Sequence, residues 1–219
     1  MSQFDAVVFD MDGVLVNSAP SHRAAFEQVF EPLGIRDFIY SDYAGQRTAE
    51  VVEAVLRHAS IEPTRALVSQ LAETKSRLAR EHLRATNPIA ACCLATLRKL
   101  TSHYTLALAS SGSRSSVDLF LRLNDCAGLF RSVLSGNDVQ HAKPHPEIYE
   151  RSFRALGIES GKAVVIEDAV SGILAARAAH AGAVIGITGT CPPGQLSAAG
   201  ADTILQNLGE LPAILGATG

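Results

Sequence analysis

No excess of either charge runs through this sequence: 19 basic residues stand against 22 acidic ones, for a formal charge of -3. A chain so balanced has no long-range field drawing it to a phosphate backbone or an anionic bilayer, so neither nucleic acid nor membrane is an expected partner. Apolar runs are short as well, none near the roughly 18 residues of a membrane span. The opening MSQFDAVVFD has no basic stretch leading into an apolar one, as a secretory leader would. The expectation is a soluble cytoplasmic protein, a monomer or weak dimer. Cysteines are few, Cys92, Cys93, Cys126 and Cys191, without C-x-x-C spacing or disulfide-scaffold density. They read as reduced thiols, with Cys92 and Cys93 packed in a core helix. Lysine is scarce too: Lys75, Lys99, Lys143 and Lys162 face fifteen arginines, so each can be weighed singly. Internal repeats and low-complexity segments are absent.

What is present describes a globular protein. Hydrophobic residues make up 47% and charged ones 19% of the 219, enough apolar surface for a sizeable core. At roughly 150 residues per domain, that length is one domain and a fraction. Continuous apolar runs at 4–9, 104–109, 132–134, 163–166, 183–187 and 202–205 predict buried parallel strands. Helical spacing predicts helices at 89–101, 114–123, 146–156 and 170–181, the last ended by a left-handed cap at Gly182. The alternation argues for an α/β fold, a Rossmann-like, doubly wound parallel sheet. Residues 20–86 break it, with helical spacing in 21–33, 47–59 and 64–85 and no strand. The expected organisation is a core of residues 1–16 and 87–219, with an all-helical cap, 17–86, inserted after the first strand.

In such sheets ligands bind beyond the carboxyl ends of the strands. Asp10-Met11-Asp12-Gly13 follows the first strand, Ser110-Ser111-Gly112 the second, and Glu167-Asp168 the fourth, while Lys143 lies in the loop Ala142-Lys143-Pro144-His145-Pro146. Four converging carboxylates repel one another unless a cation joins them. A hard ion such as Mg²⁺ suits one or two carboxylates plus water and substrate phosphate, and the absence of paired His or Cys ligands argues against zinc. Ser110 with the Ser111 and Gly112 amides, at the start of a helix near Ser113, makes an anion cradle beside Lys143. Metal, carboxylates and cradle together point to phosphoryl transfer.

The set DMDGVLVNS (Asp10 to Ser18), Ser110 closing LALAS, KPHP (Lys143 to Pro146) and EDAVSGILAA (Glu167 to Ala176) resembles the four motifs of the haloacid dehalogenase-like hydrolase superfamily. Within it, the chain resembles β-phosphoglucomutase-like and phosphatase members with a helical cap. The resemblance implies that Asp10 is the nucleophile and forms an aspartyl phosphate. It makes Asp12 the acid and base, which calls for a raised pKa, with Gly13 permitting its turn. Ser110 would hydrogen-bond the phosphoryl group and Lys143 would pair with it and with Asp10. Asp168, Asp10 and the Asp12 carbonyl would hold Mg²⁺, with Glu167 on a metal-bound water; a helix cap is the plain alternative for the acidic pair.

In the cap, His22 and Lys75 resemble a hinge histidine and cap lysine linked to closure, and Gly45-Gln46-Arg47-Thr48 resembles the specificity loop. For His22 a plain, partly buried hinge histidine is the alternative, and for Lys75 an exposed helix position. Arg47 would read a second anionic or hydroxyl-rich part of the substrate, or be a surface residue. His141 and His145 read as structural or exposed. Asn17 and Ala19 stand where many relatives carry Asp and Glu, and Thr48 stands where the mutase would carry an arginine. The leading expectation is therefore a Mg²⁺-dependent phosphatase of a small phosphorylated substrate, a sugar phosphate or short organic phosphate. A β-phosphoglucomutase-type mutase is the alternative and a non-catalytic phosphometabolite-binding module a third. Asp12 argues against a dehalogenase, and the late position of Lys75 against a phosphonate hydrolase.

Overall fold

The computed structural model describes residues 3–217, so the outermost ends of the expected core, 1–2 and 218–219, lie outside the described residues. Strands β1 (Ala6–Phe9), β2 (Thr105–Ala109), β3 (Ser132–Leu134), β4 (Ala163–Glu167), β5 (Ala183–Ile187) and β6 (Thr203–Leu205) form one sheet in the order β3-β2-β1-β4-β5-β6. Every pairing is parallel. The chain leaves β1 for one side of the sheet and β4 for the other, so a crevice opens where the order reverses, at the carboxyl ends of β1 and β4.

The core helices are α4 (Cys93–Leu100), α5 (Arg114–Leu123), α6 (Glu147–Leu156), α7 (Val170–Ala178) and α8 (Pro193–Ala198) between strands, and α9 (Leu211–Ile214) after the last. Alternate side chains of a strand face opposite ways, and both faces of the central strands are covered. Val7, Phe9, Leu106, Leu108 and Ile166 pack with Leu97, Leu100 and Phe120 on one side. Val8, Ala107, Val165 and Ile173 pack with Ile148, Tyr149 and Phe153 on the other. Each such large side chain contributes about 1.5–3 kcal/mol when taken from water, which is why β1 and β4 read as unbroken apolar runs. The short edge strand β3 is only half-buried.

Three helices, α1 (Ala19–Phe30), α2 (Thr48–His58) and α3 (Arg65–Thr86), form the insertion around a cluster of their own, Phe26, Phe30, Val51, Val52, Val55 and Leu56. Thr64 caps α3 by accepting the Leu67 N–H at 3.3 Å. Asn87, left-handed at φ 38°, ends that helix just before Pro88. The two connections to the core run side by side: Asn17 N–H donates to Pro88 O at 2.7 Å and Ala90 N–H to Leu15 O at 2.9 Å. Among the described residues no helix is long and apolar enough to cross a membrane.

Two expectations fail locally. The predicted helix 89–101 starts only at Cys93, because Ile89 bridges Val16 in the paired connections and Cys92 is left-handed at φ 62°. Cys92 is therefore exposed, while Cys93 is buried as expected. Helix α7 stops at Ala178, and the left-handed residue after it is His180 at φ 59°, not Gly182. Gly182 answers a different demand: a Cβ there would lie 2.1 Å from Gly161 O.

Candidate active site

Asp10 follows β1 directly, and its N–H donates to Ile166 O of β4 at 3.0 Å, which seats it beside Glu167 and Asp168. Gly13, at φ +84°, closes the turn after Asp12; a Cβ there would fall 1.7 Å from Asp168 Oδ2. Only glycine brings the two tips this close. Ser110, fully buried after β2, accepts the Gly112 N–H on its Oγ at 2.9 Å, which leaves the hydroxyl hydrogen for an anion. Ser113 caps α5 by accepting the Ser116 N–H. A Cβ on Gly112 would meet Ser110 Oγ at 3.1 Å and Asp12 Oδ2 at 3.5 Å, so the Ser110 and Asp12 side chains border one space.

Lys143 fills the gap between the tips and is 2% exposed. Its ammonium donates to Asp10 Oδ1 at 2.6 Å, Glu167 Oε1 at 2.7 Å and Ala109 O at 3.1 Å. Burial opposes its charge, but Asp10 and Glu167 hold its pKa well above the ordinary lysine value. The balance of charge remains negative. Asp10, Glu167 and Asp168 are all buried, with oxygens within 4.8 Å of one another. Burial, with Glu167 and Asp12 adding to it, raises Asp10 against the pull of Lys143; burial, Glu167 and Asp10 raise Asp168. Carboxylates so placed fit a hard divalent cation. Asp168 is not a helix cap, since the N-cap of α7 is Ala169. Glu167 has its oxygens engaged: Oε1 takes Lys143 and the Tyr149 hydroxyl, and Oε2 takes the Asp168 N–H at 3.1 Å.

From the insertion, His22 donates from Nε2 to Asp12 Oδ1 at 2.9 Å, and Lys75 Nζ donates to His22 Nδ1 at 2.7 Å. Burial and the Lys75 charge lower the His22 pKa, which fits a neutral ring in these roles. Lys75 is buried, not the exposed helix lysine of the alternative reading, and its ammonium lies 4.2 Å from the centre of the Phe26 ring. Burial raises Asp12, but His22 and Lys75 outweigh it and hold the carboxyl down at about 2. The raised value expected for an acid is thus corrected: the cap's donors stabilise the anion.

The loop 44–47 is tied to the core. Arg47 donates to Gly136 O at 2.9 Å, Val139 O at 3.0 Å and Gln140 O at 3.2 Å, so it is neither a free surface residue nor a free substrate reader. Gly45 O accepts the Ser111 hydroxyl at 2.7 Å and Ala44 O the Ser171 hydroxyl at 3.0 Å. Gln46 turns to Asp42 O of its own loop at 3.4 Å. His141 and His145 are exposed and stack on each other. A hollow of about 930 Å³ beside α2 and α3 is lined by none of the acidic tips.

Two residues at the site were missed from the sequence. Tyr149, fully buried on α6, donates its hydroxyl to Glu167 Oε1. Tyr40, in the loop before Gly45, stacks on His22 with ring planes 8° apart and packs against both the cap cluster and one sheet-face cluster. Burial, then Asp12, Asp168 and Asp10, raise its pKa well above the ordinary phenol value. Neither carries a motif; only the folded chain brings them in.

Compared with known proteins, residues 7–185 match the haloacid dehalogenase-like hydrolase family. Protein CbbY of Cereibacter sphaeroides is 28% identical, over 97% of this chain and 96% of its own. Validoxylamine A 7'-phosphate phosphatase of Streptomyces hygroscopicus subsp. limoneus is also 28% identical, over 95% of this chain and 96% of its own. A β-phosphoglucomutase structure from Clostridium difficile shares the fold, with a TM-score of 0.85 at 21% identity over 98% of this chain and 96% of that one.

Proposed function

The chain belongs to the haloacid dehalogenase-like hydrolases, and from that premise we propose that it is a magnesium-dependent phosphatase of a small phosphorylated metabolite, a sugar phosphate or short organic phosphate. The observation that carries the reading is the meeting of Asp10, Lys143 and Asp168 at one crevice, with Asp12 under a bond from the cap. Asp10, Asp168 and the Asp12 carbonyl would hold the metal. When bound, it neutralises phosphoryl charge and offsets the repulsion of the carboxylates.

The residues divide the work. Lys143, fixed on Oδ1, orients the Asp10 carboxylate, whose oxygen attacks phosphorus as the bond to the ester oxygen breaks. Ser110 and the Ser111 amide grip the phosphoryl oxygens. Asp12 gives the departing alkoxide its proton, then takes one from the water that attacks the aspartyl phosphate, releasing phosphate and restoring Asp10. An Asp12 held low in the free site suits the second half; a dianionic substrate against it raises it for the first.

The seated cap favours small substrates and excludes bulk water. A mutase needs a cap cation for a second phosphate, and the engagement of Arg47 with three core carbonyls favours the hydrolase. The same reading keeps the chain in the cytoplasm, as a monomer or weak dimer, and treats 17–86 as a cap that moves against the core. Asp10→Asn, assayed on p-nitrophenyl phosphate with Mg²⁺, is expected to lose turnover while keeping its circular dichroism spectrum and thermal midpoint. Undiminished hydrolysis by that variant would overturn the mechanism.

A further inference from the structure

Lys143 has three donors and all three are spent, on Asp10, Glu167 and Ala109 O. Two of its acceptors are carboxylates that compete for one ammonium in a pocket without bulk water. A side chain outside the motifs touches both the ammonium and one of these carboxylates. Tyr149, on α6, is fully buried; its hydroxyl donates to Glu167 Oε1, the oxygen that Lys143 also occupies. Its ring lies under the same ammonium, 4.9 Å from nitrogen to ring centre. One residue thus takes up a lone pair of the competing carboxylate and supports the cation from below.

We propose that Tyr149 is a positioning residue that acts through Glu167, holding the Lys143 ammonium on Asp10. A carboxylate oxygen that already accepts a phenol hydrogen draws less strongly on a neighbouring ammonium. With Tyr149 reduced to its ring, Glu167 has Lys143 as its sole donor on Oε1, and the ammonium swings toward it and away from Asp10. Ser110 and Ser111 are untouched, and the Lys143 donors, expected from the sequence to reach the phosphoryl group, are all spent on protein acceptors, so substrate binding stays while the chemical step slows. The kinetic half of this inference rests on the phosphatase reading; the structural half does not.

The test is Tyr149→Phe, which keeps the ring and removes one oxygen. Because the chain has four lysines, nitrogen-15 lysine labelling of the substrate-free protein gives a readable ammonium spectrum, with the Lys143 signal identified by its loss in Lys143→Arg. The Lys143 resonance is expected to shift in Tyr149→Phe. Hydrolysis of p-nitrophenyl phosphate with Mg²⁺ is expected to lose about 10-fold in kcat with KM changed less than about 2-fold. In a Glu167→Gln background, where the competing charge is gone, Tyr149→Phe is expected to add no further loss in kcat. An unmoved Lys143 resonance overturns the inference whatever the activity. So does an unchanged kcat beside a shifted thermal midpoint, which would mark Tyr149 as packing alone. Equal losses in the two backgrounds overturn the route through Glu167. A wild type inactive on every phosphate ester, with the resonance shift present, leaves the positioning in place and retires the phosphatase reading.

Discussion

Asp12 lies two residues beyond Asp10, yet the two carboxyls feel different fields. Asp10 is buried with Glu167 and pushed up, whereas Asp12 receives the His22 bond and is held at about 2. The difference comes from the insertion, which supplies His22 and Lys75. Lys75 is held down at about 8 by burial, with Asp12 only partly offsetting it, against an ordinary value near 10.4 in the unfolded chain. Between those two values the unfolded state binds more protons than the folded one, so stability rises with pH across that window. We expect the unfolding free energy of the wild type to gain on that of Lys75→Met as pH is raised from about 8 to about 10.4. A difference that stays flat would contradict the buried cation. Lys143 is a poorer target for direct removal: deleting one partner of a buried ionic cluster costs about 3–5 kcal/mol, which would confuse folding with catalysis. The strand-tip residues were legible because carboxylates after apolar runs stand out. The field on Asp12 was not, because it depends on the approach of His22 and Lys75 from 53 residues apart.

At the scale of elements, the loop 44–47 is the joint between cap and core. Backbone carbonyls of Ala44 and Gly45 accept hydroxyls from the core, and the Arg47 side chain answers with bonds to core carbonyls. The guanidinium suits this, since its planar fork offers several donors in fixed directions. Arg47→Ala is expected to leave the fold intact and speed hydrogen exchange at residues 136–140, with a KM rise of roughly 3- to 10-fold on the proposed reading, in which the cap closes over the substrate. Exchange and KM equal to wild type would mean that the joint is held by the two serine hydroxyls alone. The elements themselves were largely readable. Strands 132–134 and 183–187 and helix 114–123 have the predicted limits. Helix starts and stops were less so, as at Cys93 and Ala178, where tertiary bridges and a left-handed histidine set the boundary. Arg47 shows the limit of loop reading, since its partners lie 89 to 93 residues away in sequence.

Across the whole molecule, the order β3-β2-β1-β4-β5-β6 places the acidic tips at one crevice, which the insertion reaches through His22 and Lys75. The fold was legible because buried strands must be apolar on both faces. The seating of the cap was not, because it rests on a few polar contacts between distant loops. The price of gathering buried carboxylates is a molecule that should be more stable with its cation. At a free concentration 100 times its dissociation constant, Mg²⁺ would contribute about 2.7 kcal/mol, read as a rise in the thermal midpoint that Asp168→Asn should largely abolish. An equal rise in that variant would place the ion elsewhere. The central claim is the covalent step on Asp10, and the most direct measurement is acid quenching during turnover of a good phosphate ester with Mg²⁺, followed by peptide mass mapping. The account predicts one added phosphoryl group, confined to the peptide carrying Asp10 and absent from Asp10→Asn. Turnover by the wild type with no phosphorylated peptide, together with undiminished turnover by Asp10→Asn, would contradict it.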